Sequence, residues 1–191
     1  MTFDRISWPR PTARLTLRPA TTSDLPTVFA IRTRPDVAEW MPDRPAAYDD
    51  WLLRLGRTGA VDRMLVMEVG GTVIGDLYLF VNDGWAQAEV KESGLKSQAE
   101  VGWCVSPDHQ GHGYVTEAMT ELVRICFEEL GLRRLTAEAF ADNLPSVRVM
   151  ERLGMTYEAR HRAESLHRDL GWVDGVVYAL LAEDWRAAQA G

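Results

Sequence analysis

Hydrophobic and polar residues alternate along several short stretches of the chain, a period of two that is typical of β-strands. Alternating stretches and short apolar runs bounded by turn residues occur at 14–19, 64–69, 73–80, 99–106, 134–140, 155–162 and 172–181. Gly70 and Gly71 separate the second and third of these stretches, and two consecutive glycines favour a two-residue hairpin turn. The pattern therefore predicts an antiparallel strand pair within a larger sheet.

In other stretches the apolar residues recur every three or four positions, which predicts amphipathic helices. These helices are expected at about 22–34, 46–57, 115–130 and 143–153. Residues 81–98 are polar and long for an inert loop, and they are interpreted as a mobile or functional excursion. Residues 182–191 are expected to be a short frayed tail.

Strands and helices mixed in this order, without a repeat or a linker, predict one α/β domain over residues 1–191 with a core at about 14–181. The chain has 191 residues, of which 46% are hydrophobic and 26% charged, as expected for a globular domain. Its formal net charge of −7 would repel a polyanion, so nucleic acid is not an expected partner. A cationic amine fits this charge better.

Both cysteines, Cys104 and Cys126, stand alone in apolar runs without the spacing of metal ligands, and we interpret them as small core residues. No apolar run of about 18 residues is present, and the chain does not begin like a signal peptide. The expected location is therefore the cytoplasm, with no membrane as partner.

Chemistry is concentrated in the segment VSPDHQGHGYVTEA, which begins at Val105. A strand ends at Pro107, and Gly111 and Gly113 allow the backbone to approach a ligand before a helix begins, so the exposed N–H groups predict an anion site. Two other readings stay open at this point: the glycines simply turn the chain, or the turn holds a nucleotide. The lysine and Ser/Thr of a P-loop are missing, and so is the spacing GxGxxG.

Residues 110–115, QGHGYV, resemble the Q/R-x-x-G-x-G/A signature of the GNAT N-acetyltransferase superfamily, and QGHGYVTEA is similar to its RimJ/RimL-like branch of ribosomal-protein N-terminal acetyltransferases. The preceding AEVGWCV, residues 99–105, resembles the AEIGY strand of that branch. Residues 143–154 resemble its N-x-x-S…E-K-L-G-F element. Val115, where Gly or Ala is usual, is expected to crowd a pyrophosphate slightly, and Met155 replaces the usual aromatic residue.

The resemblance implies a GNAT-type domain with a central mixed, mostly antiparallel twisted sheet, helices on both faces and a splayed central strand pair. It also implies acetyl-CoA as the co-substrate and no metal. Residues expected to bind acetyl-CoA are Trp103, Cys104, Val105, Gln110, Gly111, His112, Gly113, Tyr114, Val115, Thr116, Asn143 and Ser146. In this family the turn holds the pyrophosphate, and the pantetheine arm pairs with the backbone of the central strand, here 103–105. Asn143, which also suits a helix cap, would bind the arm from the far side.

Glu100 is the candidate general base. A carboxylate in a central strand that is covered on both faces is costly unless it is paired or lies in a cleft. Because an ordinary Glu is a weak proton acceptor, its pKa must be raised by burial or it must act through water. The alternative is that Glu100 is merely solvated at the open end of the strand.

The remaining catalytic candidates follow from the resemblance. The N–H of Val105 or its neighbour would stabilise an oxyanion, and Ser146 is the candidate for protonating the thiolate or for fixing a water. No Cys–His or Ser–His–Asp set supports a covalent acyl-enzyme, so we expect direct transfer of the acetyl group.

The acceptor is expected to be an amine, either a protein N-terminus or a small molecule. Candidate acceptor residues are Trp40, Tyr48, Trp51, Tyr78 and Trp85, although most of these aromatic residues suit the core equally well. A non-catalytic acyl-CoA-binding sensor and a nucleotide-phosphate binder are the alternatives. Homodimers are common in the family, but no independent pattern in this chain indicates an interface.

Overall fold

A computed structural model describes residues 2–190, and within them the chain forms eight strands and seven α-helices. The strands are β1 (Arg10–Pro11), β2 (Thr16–Pro19), β3 (Met64–Val69), β4 (Thr72–Asn82), β5 (Gln98–Val105), β6 (Arg134–Phe140), β7 (Thr156–His167) and β8 (Gly171–Leu181). The helices are α1 (Leu25–Arg32), α2 (Pro35–Ala38), α3 (Tyr48–Thr58), α4 (Lys91–Gly94), α5 (Tyr114–Arg124), α6 (Leu144–Arg152) and α7 (Ala182–Ala190). Met1 and Gly191, the ends of the expected domain and tail, lie outside the described residues.

The strands form one sheet in the order β1-β2-β3-β4-β5-β6-β8-β7. Pairing is antiparallel in β1–β2, β2–β3, β3–β4, β6–β8 and β7–β8, whereas β5 and β6 run parallel. Gly70 and Gly71 form the turn between β3 and β4 with φ of 56° and 80°, as expected for a glycine hairpin. A mixed, mostly antiparallel sheet with helices confirms the predicted fold class.

The chain divides into two compact units, and the strands β4 and β5 each continue from one unit into the other. The first unit comprises the residues up to Leu79 and Trp103–Leu122. The second comprises Phe80–Gly102 and the residues from Val123 onward. The prediction of one domain over residues 1–191 remains a prediction.

In the first unit, α1 and α3 pack on one face of β3. The buried residues of the two helices and of this strand face form one cluster, which comprises Leu25, Val28, Trp51, Leu55, Met64 and Val66. Leu65 and Met67 point to the opposite face of β3 and are also fully buried. Both faces of this strand are therefore covered, which explains why it appears as a continuous apolar run in the sequence.

In the second unit, β5 and β6 pair over only three positions. The register joins Gln98 to Arg134, Ala99 to Leu135 and Glu100 to Thr136. Both strands continue in this unit beyond that point, to Gly102 and Phe140. The pairing therefore ends early, as expected for a splayed central pair, and it leaves backbone N–H and C=O groups of β5 beyond Glu100 outside this ladder.

Most predicted elements are present, and β3 and β6 have the predicted bounds. The helix expected at 115–130 is α5 followed by a π-helical segment, Ile125–Glu129. The short helix α2 was not predicted. The expectation of a frayed tail is wrong, because the residues up to Ala190 form α7, in which Ala182 is buried and the Trp185 ring packs 5.6 Å from that of Phe127.

Cys104 and Cys126 are buried, as predicted, and burial raises the pKa of each thiol. Within residues 2–190 no group of three His, Cys, Asp or Glu side chains is arranged to hold a metal ion. The helices of this part of the chain are too short or too polar to cross a membrane.

Candidate active site

The predicted anion site is an open turn between β5 and α5, in the first unit. Ser106, just after β5, donates its N–H to the Ile74 carbonyl at 2.8 Å, and a 3-10 turn, Pro107–His109, follows. Gly111 and Gly113 adopt φ of 76° and 79°, the left-handed region that glycine adopts without a steric penalty. A methyl group built on Gly111 would meet no atom within 4 Å. The space in front of this glycine is therefore free for a ligand.

The N-terminus of α5 supplies the donors. Its first turn is closed by the N–H of Glu117, which donates to the Gly113 carbonyl at 3.0 Å. The N–H groups of Tyr114, Val115 and Thr116 precede that bond, so they have no acceptor within the helix. Unpaired N–H groups and the positive end of the helix dipole are what a phosphate oxygen requires. These residues fit the pyrophosphate of acetyl-CoA.

The Val115 side chain is only 9% exposed. Its bulk is therefore packed inside the protein rather than at the exposed turn. The crowding of the pyrophosphate expected from the replacement of Gly or Ala does not follow from this geometry.

Two residues from the segment between β1 and β2, Thr12 and Arg14, hold this turn, and no local pattern in the sequence identifies them. The Glu117 carboxylate accepts from Thr12 Oγ1 at 2.6 Å, and from the backbone N–H and Nε of Arg14 at 2.7 Å each. Arg14 Nη1 also donates to the His112 carbonyl at 2.8 Å. Its Cζ lies 4.9 Å from the centre of the Tyr114 ring. One cation thus binds both the glycine turn and the first turn of α5.

The contacts decide the charge of Glu117. Burial alone would raise its pKa, but the hydrogen bonds from Thr12 and Arg14 hold the pKa below its usual value. Glu117 is therefore a carboxylate at neutral pH, and Arg14 is its counter-ion. A carboxylate in the first turn of a helix that is expected to bind an anion needs a cationic partner. The position of Glu117 beside the predicted anion site could therefore have indicated from the sequence that such a partner exists.

Other residues of the turn are exposed. The His112 ring stacks on the Tyr114 ring at 5.5 Å between centroids and 17° between planes. Gln110 is exposed and donates its N–H to the Pro107 carbonyl at 3.2 Å. The binding of acetyl-CoA expected of Gln110 and His112 remains a prediction.

Glu100 lies in β5, in the second unit. Its neighbours Ala99 and Val101 point to the other face and are buried, whereas Glu100 is exposed. Partial burial and the nearby charge of Glu138 raise the pKa of Glu100. At Glu100 this face of the strand is therefore open to solvent, as in the solvated alternative, yet the raised pKa makes the carboxyl a better proton acceptor than a free Glu.

Asn143 and Ser146 lie at the start of α6, and both are half-buried. Asn143 is the N-cap, and its Oδ1 accepts the N–H of Ser146 at 3.3 Å. The cap role considered for Asn143 is confirmed. Binding of the pantetheine arm by Asn143, and any catalytic role of Ser146, remain predictions.

The aromatic candidates for the acceptor site separate into core and surface. Trp51 is 2% exposed and belongs to the core of the first unit. Tyr48 packs against Phe29, with 5.3 Å between the ring centroids. Trp40 and Tyr78 are half-buried. Trp85 is 92% exposed. The interpretation that most of these aromatic residues serve packing holds for Trp51 and Tyr48 and fails for Trp85.

Trp85 belongs to the excursion predicted at 81–98, which comprises residues 83–97 between β4 and β5 and includes α4. Gly84 donates its N–H to the Gly94 carbonyl at 2.7 Å, and Asp83 Oδ1 accepts the N–H of Lys96 at 2.8 Å. These bonds close the loop at its base. Its apolar side chains point outward, since Val90 and Leu95 are also half or more exposed.

Comparison with known proteins decides the family. The model of the acetyltransferase (GNAT) domain matches residues 14–156, well over half of the chain. The chain belongs to the GNAT acetyltransferase family. The resemblance found in the glycine turn is thereby confirmed at the level of this family, whereas the RimJ/RimL-like branch remains a prediction.

Curated relatives include YnaD of Bacillus subtilis, described as an uncharacterized N-acetyltransferase. It is 35% identical over 86 residues, 45% of this chain and 50% of YnaD. AaaT of Escherichia coli, an L-amino acid N-acetyltransferase, is 25% identical over 168 residues, 87% of this chain and 98% of AaaT. The chain spans half or less of the length of the first relatives it matches.

Solved structures of other acetyltransferases agree in fold. The ribosomal-protein-S5-alanine acetyltransferase of Vibrio fischeri has a TM-score of 0.75 at 19% identity, covering 94% of this chain and 99% of that one. The spermidine N-acetyltransferase of Vibrio cholerae, in complex with CoA and spermine, has a TM-score of 0.76 at 17% identity, covering 91% and 99%. At these identities the likeness establishes the fold alone.

Proposed function

We propose that the chain is an acetyl-CoA-dependent N-acetyltransferase that transfers the acetyl group directly to a primary amine. The observation that carries this proposal is the open glycine turn at the N-terminus of α5, in a chain of the GNAT family. A turn with unpaired N–H groups and free space in front of Gly111 suits a pyrophosphate. The relatives described as N-acetyltransferases support the same reaction class.

Acetyl-CoA supplies an activated thioester, and the residues of this chain bind and orient it. In the proposed arrangement, the N–H groups from Gly111 to Thr116 hold the pyrophosphate. The backbone of Trp103, Cys104 and Val105 pairs with the pantetheine arm, and Asn143 and Ser146 contribute polar groups to it. The early end of the β5–β6 pairing in the second unit supports this use of β5.

Glu100 is proposed as the general base that removes a proton from the acceptor ammonium. Partial burial and Glu138 raise the pKa of Glu100, which brings it nearer to that of an amine. A protein α-amine, with a pKa near 8, loses its proton more readily than lysine, with a pKa of about 10.4. Proton removal, directly or through one water, leaves a neutral amine that can attack the thioester.

A cationic acceptor is consistent with the charge of the chain. The net charge is −7, and the exposed Glu100 and Glu138 lie on the paired strands β5 and β6. Both a small-molecule amine and a protein N-terminus carry the required ammonium group. Membership of the RimJ/RimL-like branch would favour the N-terminus. Membership of that branch, a cytoplasmic location and the homodimer that is common in the family remain predictions.

The test combines binding and turnover. Thermal unfolding of the full chain is measured with acetyl-CoA, CoA and ATP, because a ligand that binds only the folded state raises the melting temperature. Thiol release from acetyl-CoA is then measured with amino acids, polyamines and peptides with free N-termini. Glu100→Gln is compared with Glu183→Gln as a control. Glu183 is an exposed glutamate in α7, and its substitution removes the same single negative charge.

We expect acetyl-CoA to stabilise the fold and one acceptor class to release CoA, with the release lost only in Glu100→Gln. No stabilisation by either CoA form would overturn the proposal. Protection by ATP alone would point to a nucleotide site. If acetyl-CoA stabilises the fold but none of the three acceptor classes releases CoA, the chain is an acyl-CoA sensor and not the proposed enzyme.

A further inference from the structure

The ion pair that joins the segment before β2 to α5 bears directly on the proposed acetyl-CoA site. Glu117 places a full negative charge in the first turn of α5, close to the N–H groups that are expected to bind a pyrophosphate. An uncompensated carboxylate at this position would repel the phosphates and weaken the attraction of the helix N-terminus. A positively charged group therefore has to neutralise the Glu117 carboxylate.

Arg14 meets this requirement with its position and its charge. Its Nε lies 2.7 Å from Glu117 Oε2, and its Nη1 lies 2.8 Å from the His112 carbonyl oxygen. Its Nη2 lies 3.5 Å from where a Cβ of Gly113 would stand. The guanidinium therefore contacts the His112–Gly113 backbone and the Glu117 carboxylate at the same time.

The backbone of the turn depends on the same side chain. His112 lies between two glycines that adopt left-handed φ angles, so the turn has many alternative conformations when nothing holds it. The bond from Arg14 to the His112 carbonyl fixes one of them. Thr12 adds a second anchor, because its hydroxyl binds Glu117 at 2.6 Å.

We propose that Arg14 is a positioning residue for acetyl-CoA, which neutralises Glu117 and holds the His112–Gly113 backbone so that the turn accepts the pyrophosphate. This inference rests on the proposed function. It assigns to the segment before β2 a role in binding the nucleotide end of the co-substrate, separate from the pantetheine arm and the acetyl group.

The experiment measures the dissociation constants of CoA and of pantetheine, which lacks the phosphates, by calorimetry on the full chain. Arg14→Ala is compared with Arg54→Ala. Arg54 is a matched control because its side chain is also 49% exposed and also pairs with a carboxylate, that of Asp43. Arg14→Gln is measured in parallel, so that the question is answered even if the alanine variant does not fold.

We expect Arg14→Ala to weaken CoA binding about tenfold, the effect of losing one or two charge-assisted contacts, and to leave pantetheine binding unchanged. Arg54→Ala should change neither. Glu117→Gln should weaken CoA binding less than Arg14→Ala does, because the amide oxygen can still accept from Arg14 and Thr12 while the negative charge is removed. Adding Glu117→Gln to Arg14→Ala should recover part of the loss, because it removes the uncompensated charge.

Two results would overturn the inference while leaving the proposed function intact. The first is CoA binding by Arg14→Ala and Arg14→Gln within about twofold of the natural chain. The second is an equal loss for pantetheine, which would indicate a general structural defect. Failure of the natural chain itself to bind CoA would instead remove the proposed function.

Discussion

Two glutamates, one in each compact unit, have opposite surroundings and opposite pKa shifts. Glu117 is held by Thr12 and Arg14, and its pKa lies below the usual value. Glu100 is partly buried beside another carboxylate, Glu138, and its pKa is raised. The first arrangement keeps a charge fixed and compensated, as a structural contact requires. The second leaves a carboxyl that takes up a proton more readily than a free Glu, as the proposed general base must.

The largest effect is expected at Glu100. Glu100→Gln should lower kcat about 100-fold, the lower end of what general base catalysis contributes, and should leave the dissociation constant of CoA unchanged. Thiol release and calorimetry on the same preparation separate the two quantities. A loss of CoA affinity equal to the loss of rate would show that Glu100 supports the co-substrate site instead of the proton transfer.

The pH profile sharpens this prediction. The rate should fall at low pH as Glu100 becomes protonated, and Glu138→Gln should move that fall to lower pH because it removes one cause of the raised pKa. Glu183→Gln should leave the profile in place. A profile that does not move in Glu138→Gln would separate Glu100 from the limiting proton transfer.

The next effect is expected in the glycine turn. Gly111→Ala should weaken CoA binding about 30-fold, because the left-handed φ costs an alanine roughly 1–2 kcal/mol and the methyl group occupies the space in front of the turn. Gly131→Ala is the matched control, since Gly131 also has positive φ, 66°, and also has no atom within 4 Å of an added methyl. It should lose similar stability, measured by urea unfolding, without losing CoA affinity.

A smaller effect, of opposite sign for the two glutamates, is expected in the pH dependence of stability. The raised pKa of Glu100 favours the folded state at low pH, and this contribution is lost as the pH rises through the folded-state pKa. Glu100→Gln should therefore become more stable, relative to the natural chain, as the pH rises from about 4 to about 8.

Glu117→Gln should show the reverse. The lowered pKa contributes stability above the unfolded-state value, and this contribution is lost as the pH falls. The loss at neutral pH should be about 1 kcal/mol, because Arg14 is half exposed and its contacts are screened by water. Urea unfolding of both variants across the pH range measures this difference, and curves with the same slope would contradict it.

The smallest effect is expected at Trp85. Its side chain is 92% exposed, so Trp85→Ala should change the unfolding free energy by less than about 0.5 kcal/mol and leave CoA binding unchanged. Trp51→Ala, in the core, should cost about 3–5 kcal/mol by comparison. A change in the KM of the acceptor alone in Trp85→Ala would show that the 83–97 loop contacts the acceptor.

The sequence predicted what is encoded locally. Gly70 and Gly71 determine their hairpin through the freedom of two adjacent residues, and Gly111 and Gly113 mark their turn in the same way. Asn143 caps α6 through a contact only three residues away. In each case the residues that specify the structure are neighbours along the chain, so a pattern in the sequence is enough.

Contacts between residues that are far apart along the chain could not be predicted from the sequence. Arg14 and Glu117 are 103 residues apart, and nothing near either one identifies its partner. The helix α7 was mistaken for a tail because its packing depends on Phe127, far from Trp185 in sequence. The exposure of Glu100 likewise depends on which elements cover β5. The sequence therefore singled out candidate groups such as Glu100, but not the residues that hold or uncover them.

The edge strand β7 has a consequence for how chains associate. Its register with β8 is interrupted twice, between Tyr157 and Ala159 and between His161 and Ser165, and Ala163 takes a positive φ of 47°. A strand from a second molecule would find no regular row of hydrogen-bonding groups there, and it would meet alternating charges such as Arg160 and Arg162. Removing both irregularities together with the charges of Arg160 and Arg162 should turn this edge into a template for aggregation, which light scattering would detect.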